Sequence, residues 1–401
     1  MKQKSILLCV SIILLLSISC SRDETYTIEI KDGVRHVHNT TPKWGDVPKI
    51  ELKFVRQFGE LEGVDDNYLL FLPGDFALDK EDNLYVLDRG NFRIQKYDPE
   101  GKFVASYGRQ GQGPSEFQGA VVSIDIDDNG NMYINDFTPG FIMVMSPEGK
   151  ELRRIRIDLS SGLIRFLRDG SIIQKSFEMD SEGNVIMLTV YDRDGTFIKN
   201  IGIPEDYEKS EVTWEMNRFY YTIDNEDNVY IAYSRRNAIE KYTPDNKLVL
   251  RIDRKLNYDT NFDIMEYKRM RSVRQNGKLV GRKEETHYTV ENTKSVSRAI
   301  AVDGKGRIWV VTYRRQPLED ENAWESTGSD MSGIRYFKTG GNTNIVETDM
   351  FVLEIFDKDG MLLGKIPLTH FVNGMRIYGD RLFILDKLRK MCVYEYKIIE
   401  K

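Results

Sequence analysis

Short apolar segments recur along the chain in a fixed order, separated by polar turns rich in Asp, Asn, Gly and Pro. The clearest copy spans residues 76–107, and the pattern returns, with drift, about six times. Within this copy, residues 84–87, 94–97 and 102–107 have the Val, Ile, Tyr and Phe content of β-strands. With residues 75–78 as an innermost strand, each repeat is predicted to form one four-stranded antiparallel unit.

Two sets of turns bound these strands, and both recur from repeat to repeat. The turn after the first strand lies at residues 79–83, 127–130, 168–170, 224–228, 303–306 and 378–380. The turn after the third strand lies at residues 98–101, 146–149, 192–195, 243–246 and 357–360. Pro in second position and Gly or Asn in fourth position are typical of type I turns. Four-stranded sheets repeated around an axis form a β-propeller, so we predict an all-β, six-bladed propeller with antiparallel blades.

The first repeat also resembles a known family. The segments Asn83-Leu-Tyr-Val-Leu-Asp88, Asn91-Phe-Arg-Ile-Gln95 and Asp98-Pro-Glu-Gly-Lys-Phe103 resemble an NHL repeat. Residues 108–117 resemble the glycine-rich connector of that family. This resemblance implies a six-bladed propeller from about residue 50 to the end of the chain, similar to the propeller lipoproteins of bacteria.

The two ends of the propeller segment indicate how the ring closes. The last repeat contains strands near residues 374–377, 382–385 and 392–398, one strand fewer than the other repeats. Residues 52–59 resemble the outer strand at 102–108 but have no repeat before them. We therefore predict that the N-terminal strand completes the last blade, which removes two unpaired sheet edges.

Residues 1–20 have the pattern of a secretory signal peptide. Lys2 and Lys4 precede an apolar run at residues 6–18, which is too short to span a bilayer stably. The pattern predicts export from the cytoplasm.

The end of this segment, Leu16-Ser-Ile-Ser-Cys20, resembles a lipobox. The resemblance implies that Cys20 receives the lipid and becomes the first residue of the mature chain; a signal that is uncleaved or cleaved elsewhere is the alternative. Residues 21–49 are then predicted to be a tether, and residues 50–401 the propeller. The protein would lie in the cell envelope, lipid-anchored to a bacterial membrane on its periplasmic side or at the cell surface.

Charge and cysteine content narrow the classes of partner. The formal net charge of the chain is −6, and removing Lys2 and Lys4 with the signal makes it −8, which argues against nucleic-acid binding. Of the three cysteines, Cys9 leaves with the signal and Cys20 is the lipidation site, so Cys392 is predicted to be a lone buried strand residue. We also predict a monomer.

Long connections are predicted to gather on one face of the propeller. Connections from the second to the third strand, and from blade to blade, share this face, and they include insertions at residues 254–297 and 314–348. Such long loops are often functional, and tolerated insertion without function is the alternative. Within the first insertion, the spacing of apolar residues over residues 260–275 permits a short amphipathic helix that acts as a lid or docking surface, or that only covers strand ends.

The residue that follows the second strand of a blade is predicted to lie near the channel mouth on this face. It is basic in four of the six repeats, at Arg89, Arg235, Arg236, Arg314, Arg315 and Lys387. A partial basic ring would attract anions, and the forked donors of Arg suit carboxylate or phosphate groups. The alternative is that these charges pair locally, for example with the neighbouring Asp88 and Asp386.

Catalytic and metal-binding motifs are scarce in this sequence. There are only four histidines, no Gly-x-Ser-x-Gly motif and no recognisable Cys/His pairing, so we assign no catalytic residue, no metal site and no cofactor. The favoured hypothesis is a membrane-anchored, extracytoplasmic propeller whose long-loop face binds an anionic glycan, a peptide or another envelope protein. The rival hypothesis is a metal-dependent, lactonase-like hydrolase or a lyase that uses carboxylates in the central channel.

Overall fold

A computed structural model describes residues 25–60, 65–119, 121–136, 140–157, 162–180, 182–275, 278–329 and 335–401. Its strands form six blades around a central channel, which confirms the predicted fold class. The predicted signal peptide and the lipidation site Cys20 lie outside the described residues.

Eleven strands form the N-terminal segments and the first two blades. Three strands precede blade one: β1 (Tyr26–Lys31), β2 (Val34–Asn39) and β3 (Ile50–Phe58). Blade one contains β4 (Pro73–Leu78), β5 (Leu84–Asp88), β6 (Arg93–Tyr97) and β7 (Phe103–Tyr107), with a 3₁₀ helix at Arg89–Asn91. Blade two contains β8 (Val121–Ile126), β9 (Met132–Asp136), β10 (Phe141–Met145) and β11 (Glu151–Arg156).

Blades three and four are joined by a short helix. Blade three contains β12 (Ile164–Phe166), β13 (Ile172–Met179), β14 (Val185–Tyr191) and β15 (Phe197–Ile201). Helix α1 (Ser210–Met216) follows, and then blade four with β16 (Phe219–Ile223), β17 (Val229–Tyr233), β18 (Ile239–Tyr242) and β19 (Leu248–Arg254).

The last two blades contain and follow the long insertions. The first insertion holds β20 (Asp263–Gln275) and β21 (Lys278–Glu291). Blade five contains β22 (Ser297–Val302), β23 (Ile308–Tyr313), β26 (Glu347–Phe356) and β27 (Leu362–His370), and its insertion holds a 3₁₀ helix (Glu319–Glu321), β24 (Ala323–Ser329) and β25 (Arg335–Gly341). Blade six contains β28 (Gly374–Tyr378), β29 (Arg381–Asp386), β30 (Cys392–Glu400) and β3.

The repeated Asp residues explain why the same turn recurs. Oδ1 of Asp79 accepts hydrogen bonds from the backbone N–H groups of Glu81 (3.0 Å) and Asn83 (2.8 Å). This two-bond pattern fixes the turn without any ligand. It returns at Asp98, Asp127, Asp180, Asp192, Asp224, Asp303 and Asp357.

The ring closes as predicted. Strand β3 pairs antiparallel with β30, from Ile50 opposite Glu400 to Phe58 opposite Val393. The ring of Phe58 then packs 5.7 Å from Tyr97 of blade one, so the closing strand also takes part in the interface with the next blade. Apolar clusters of this kind lie between neighbouring blades, and Cys392 is buried in one of them, as the sequence predicted.

The segment predicted as a tether contains ordered structure. Strands β1 and β2 form a hairpin, and β2 pairs parallel with β19, so the sheet of blade four has six strands. Val37 is fully buried against this blade, and Nδ1 of His38 lies 2.6 Å from Oδ2 of Asp253. The hairpin covers an edge that would otherwise be exposed.

The predicted amphipathic helix at residues 260–275 is wrong. Residues 263–275 form β20, which pairs along its full length with β21 to make a two-stranded ribbon. Backbone pairing with the next segment of the chain overrides the local apolar spacing. Within the described part of the chain, no helix combines the length and apolar character needed to cross a membrane.

Candidate anion-binding site at the channel mouth

A basic cavity lies where the inner strands of blades four and five begin. Its volume is about 260 Å³, and the basic residues Lys175, Arg218, Arg235 and Arg298 line it. Tyrosine and serine hydroxyls complete the wall, and among the described residues that line the cavity none carries a carboxylate. The cavity opens on the face that carries both insertions, because inner strands start and second strands end there.

Arg298 is held in place by contacts with two neighbouring blades. It belongs to the inner strand β22, its Nε donates to the carbonyl of Val372 (2.8 Å), and its Nη1 donates to the hydroxyl of Tyr220 (3.0 Å). Val372 lies two residues before β28 of blade six, and Tyr220 lies on β16 of blade four. The guanidinium is therefore positioned before any ligand arrives.

Lys175 contributes a half-buried amine to the wall of the cavity. It lies on β13, its Nζ donates to the carbonyl of Phe219 (2.5 Å), and it sits 4.7 Å from the centre of the Phe219 ring. Burial, and secondarily the charge of Arg218, lower the pKa of Lys175 to about 8. An anion in the cavity would favour the protonated form of Lys175, and the positive charge of that form would in turn strengthen binding of the anion.

Helix α1 supplies one carboxylate to the rim of the cavity. Oε1 of Glu215 lies 2.5 Å from Nη2 of Arg235 and 3.3 Å from Nη1 of Arg218. One carboxylate is thus shared by two guanidinium groups, so the rim remains net positive.

The second insertion brings another carboxylate to the far side of the mouth. Oε1 of Glu325, on β24, lies 2.8 Å from Nη1 of Arg89 and 2.7 Å from Nζ of Lys387. Arg89 also stacks 4.7 Å over the ring of Phe337 on β25, which fixes the β24–β25 hairpin against blades one and six. Burial, and then the charges of Arg89 and Arg298, lower the pKa of Lys387 to about 8, because together they outweigh the raising effect of Glu325 on this pKa.

The basic residues on the two sides of the mouth are close enough to interact electrostatically. Arg298 is close enough to influence the pKa of Lys387 on one side, and it shares a cavity with Lys175 on the other. Among the described residues, the cavity wall and the ion pairs given above comprise six cations and two carboxylates; they are Lys175, Arg218, Arg235, Arg298, Arg89 and Lys387, and Glu215 and Glu325.

The structure places three of the six sequence-predicted basic residues at the mouth and three elsewhere. Arg89, Arg235 and Lys387 are at the mouth, as described above. Arg236 is buried in an ion pair with Glu205, Arg315 is paired with Glu321 through both terminal nitrogens (2.7 Å each), and Arg314 is exposed beside a separate groove.

Sequence reasoning missed Lys175, Arg218 and Arg298. The basic residues were sought only at the position that follows the second strand of each blade. A cation at the start of an inner strand lies at the same rim, and this signal would have identified Arg218 and Arg298.

Charged residues deeper on the inner strands are balanced. Nη2 of Arg376 lies 3.0 Å from both carboxylate oxygens of Asp75, and its Nη1 lies 3.0 Å from Oδ1 of Asp125. Nη1 of Arg165 lies 3.2 Å from Oδ2 of Asp75. Two cations therefore match two carboxylates there, in contrast to the excess of positive charge at the mouth.

The described residues contain no group of three or more His, Cys, Asp or Glu side chains that could hold a metal ion. The histidine on the barrel, His370, is a core residue that stacks on Tyr394 (4.5 Å) and lies 2.8 Å from the hydroxyl of Tyr396. The metal-dependent rival thus stays a hypothesis without an assigned ligand set.

Comparison with known proteins supports the propeller fold. The NHL repeat family matches residues 72–97, which contain β4, β5 and β6 of blade one. No curated protein matches the sequence. A member of the DUF4221 family from Bacteroides vulgatus ATCC 8482 is similar in structure, with a TM-score of 0.54, 12% identity, and coverage of 88% of this chain and 99% of that chain. A predicted exported protein from Bacteroides fragilis NCTC 9343 has a TM-score of 0.53, 11% identity, and coverage of 91% and 99%.

Similarity at this level of identity shows the fold alone. This structural similarity, the closed ring of six sheets and the family match in blade one together identify the chain as a six-bladed β-propeller that carries an NHL repeat in its first blade.

Proposed function

We propose that this propeller binds an anionic ligand at the channel mouth of its long-loop face. The observation that carries the proposal is the cavity lined by Lys175, Arg218, Arg235 and Arg298, with no carboxylate among its described lining residues. Glu215 at the rim compensates Arg218 and Arg235 in part, and the remaining excess of like charge opposes folding and points to a binding role.

The size of the cavity limits what it accepts. Its volume of about 260 Å³ lies just below the range of about 300–1,000 Å³ that is common for small-molecule sites. It suits one acidic group of a longer molecule, such as one uronic acid of a glycan or one acidic side chain of a peptide. Arg218, Arg235 and Arg298 offer forked donors for a carboxylate, and the tyrosine hydroxyls offer further hydrogen bonds.

We also propose that the protein works outside the cytoplasm, anchored to the membrane by a lipid on Cys20. The signal pattern of residues 1–20 supports this location, as does the similar fold of a predicted exported protein. Cys20→Ala should lose incorporation of labelled palmitate and move the protein out of the membrane fraction. Unchanged labelling of that variant would refute the anchor.

Calorimetric titration with two probes tests the binding site. An oligogalacturonate and an aspartate-rich peptide would each be titrated into wild type and into a Lys175→Met/Arg298→Gln variant. We expect the variant to bind the successful probe at least tenfold more weakly, because two of the four cations of the cavity are lost.

A matched control variant separates the site from general charge. Lys80→Gln/Arg168→Gln removes the same formal charge from turns on the opposite face, and it should bind as wild type does. Equal affinity of wild type and the mouth variant, or equal loss in the mouth and control variants, would refute the proposed site.

A further inference from the structure

The N-terminal hairpin brings the start of the described chain to the long-loop face. Tyr26 of β1 lies opposite Asn39 of β2, and Asn39 lies beside Arg254, the last residue of β19. The guanidinium of Arg254 donates to Oγ of Ser297, which lines the basic mouth. The chain therefore comes in at the level of the mouth, beside blade four.

The first insertion starts at the same place. The backbone N–H of Lys255 donates to the carbonyl of Asn39 (2.9 Å), and the N–H of Thr40 donates to the carbonyl of Thr25 (3.0 Å). Thr25 and Lys255, the first residue after β19 in the insertion that carries the β20–β21 ribbon, thus lie on the same side of the propeller.

Chain length then limits how far this face lies from the proposed anchor. Five residues separate Cys20 from Thr25 along the sequence, and an extended chain spans at most about 3.6 Å per residue, or about 18 Å in total. The ribbon, with 13 residues in β20, is about 40 Å long. A lipid on Cys20 would keep the ribbon within reach of the membrane surface.

The composition of the ribbon suits such a surface. Its residues 267–272 and 281–283 contain five Lys or Arg and no Asp or Glu, in a protein of net charge −6. Lys268 and Arg271 have exposed ion pairs with Glu284 (2.9 Å) and Glu285 (3.4 Å), and exposed pairs of this kind contribute little.

Large apolar side chains are exposed among these charges. The exposed fraction is 56% for Met270 and 46% for Tyr267, and Ile264 and Met265 are similarly exposed nearer the stem. Basic residues interspersed with exposed apolar and aromatic residues are typical of segments that lie at the interface of an anionic membrane.

We propose that residues 267–272 and 281–283 of the ribbon bind the surface of the anchoring membrane and turn the long-loop face toward it. This inference rests on the proposed lipid anchor at Cys20. A single lipid and a basic surface together give the two contacts that stable membrane attachment commonly requires.

Fluorescence quenching in reconstituted vesicles tests the orientation. The lipidated full chain would carry an environment-sensitive label at Met270→Cys or, as a control, at Asp128→Cys in a turn on the opposite face, where the side chain is 92% exposed. Cys392 does not compete for the label, because it is buried and burial raises the pKa of its thiol. In vesicles of phosphatidylcholine and phosphatidylglycerol, nitroxide headgroups should quench the label at position 270 and leave the label at 128 unchanged.

A charge variant tests the chemistry. Each basic residue near an anionic surface contributes about fivefold to binding, so Lys268→Gln/Arg269→Gln/Arg271→Gln should weaken ribbon docking on the order of 100-fold and abolish quenching at position 270. The matched variant Lys80→Gln/Arg168→Gln/Arg193→Gln removes the same formal charge from the opposite face, and it should keep the quenching at position 270.

Flotation separates failure of the ribbon from failure of the anchor. A chain that floats with pure phosphatidylcholine vesicles, yet shows no quenching at position 270 when phosphatidylglycerol is present, overturns ribbon docking and leaves the anchor intact. A chain that floats only with phosphatidylglycerol, and is quenched at 270, supports ribbon docking and overturns the anchor. Equal quenching at 270 and 128 also overturns the proposal.

Discussion

Replacing Arg254 with Met should destabilise the propeller by leaving a buried carboxylate without its main partner. Nε of Arg254 lies 2.9 Å from Oε2 of Glu354, and the two side chains are 0% and 1% exposed. Arg254 also donates to Oγ of Ser297 (3.0 Å) and Oγ1 of Thr312 (3.1 Å). Because Arg254 ends the outer strand of blade four and Glu354 lies in blade five, this network joins two blades beside the mouth.

The expected loss follows from the burial of both charges. Removing one partner of a buried ion pair commonly costs about 3–5 kcal/mol. Nζ of Lys365 lies 2.8 Å from Oε1 of Glu354 and remains as a second partner, so we expect the lower end, about 3 kcal/mol. With an unfolding entropy of about 2.1 cal/mol/K per residue over roughly 350 residues, the melting temperature should fall by about 4 °C.

The pH dependence of this loss has a defined sign. In the wild type, burial pushes the pKa of Glu354 up, but Arg254 and Lys365 outweigh it and hold the pKa below the ordinary value of 4.5. Ionised Glu354 therefore contributes stability above pH 4.5, and the contribution is lost as the pH falls through the folded-state pKa. Without Arg254, burial favours the protonated form, so the deficit of Arg254→Met should be largest at neutral pH and shrink near pH 4.

Urea unfolding followed by circular dichroism measures these differences. The double variant Arg254→Met/Glu354→Gln should recover most of the loss, because no charge is left buried without its partner. Lys305→Met, which removes an exposed ion pair with Glu400 (2.6 Å), should cost less than about 1 kcal/mol. Equal deficits for the single and double variants, or a deficit for Arg254→Met that does not change with pH, would refute the reasoning.

Three further predictions concern the mouth and the ring. Affinity for an acidic probe should fall as the pH rises through about 8, where Lys175 and, across the mouth, Lys387 lose their protons. Lys175→Met should reduce this dependence in calorimetric titrations from pH 6 to 10, a range in which Arg side chains stay charged, and an unchanged profile would contradict a role of Lys175. Glu325→Gln should strengthen binding of the same probe about fivefold, because Arg89 and Lys387 lose their shared carboxylate; weaker binding would mean that the hairpin must stay docked. Deletion of residues 50–58 should abolish folding, because β30 and the first blade lose their partner strand; a soluble monomer with unchanged melting temperature would contradict this.

The scaffold could be predicted because its signals are local and repeated. Each Asp that accepts two backbone hydrogen bonds fixes its own turn, whatever lies elsewhere in the chain. A closed ring is the arrangement in which six such consecutive units bury the faces and edges of their sheets. The closing strand was identifiable for the same reason, since residues 52–59 resemble an outer strand with no blade of its own.

The ribbon shows where local patterns mislead. The apolar spacing at residues 260–275 fits a helix, yet the segment pairs with residues 278–291. Asn276-Gly277 separates the two strands in the sequence, and this dipeptide favours hairpins, so the sequence did carry a signal for a pair of strands.

The sequence alone determined the propeller, its closure and the presence of cations at one rim, because these depend on contacts between residues that are close in the chain or equivalent between repeats. Only the tertiary structure decided which cations share a cavity and which are neutralised. Arg89 and Lys387 both contact Glu325, from which they are separated by 236 and 62 residues in the sequence, and Arg298 and Lys175 line one cavity. Charges interact through space over a few ångströms, and distances of that kind exist only once the ring has closed.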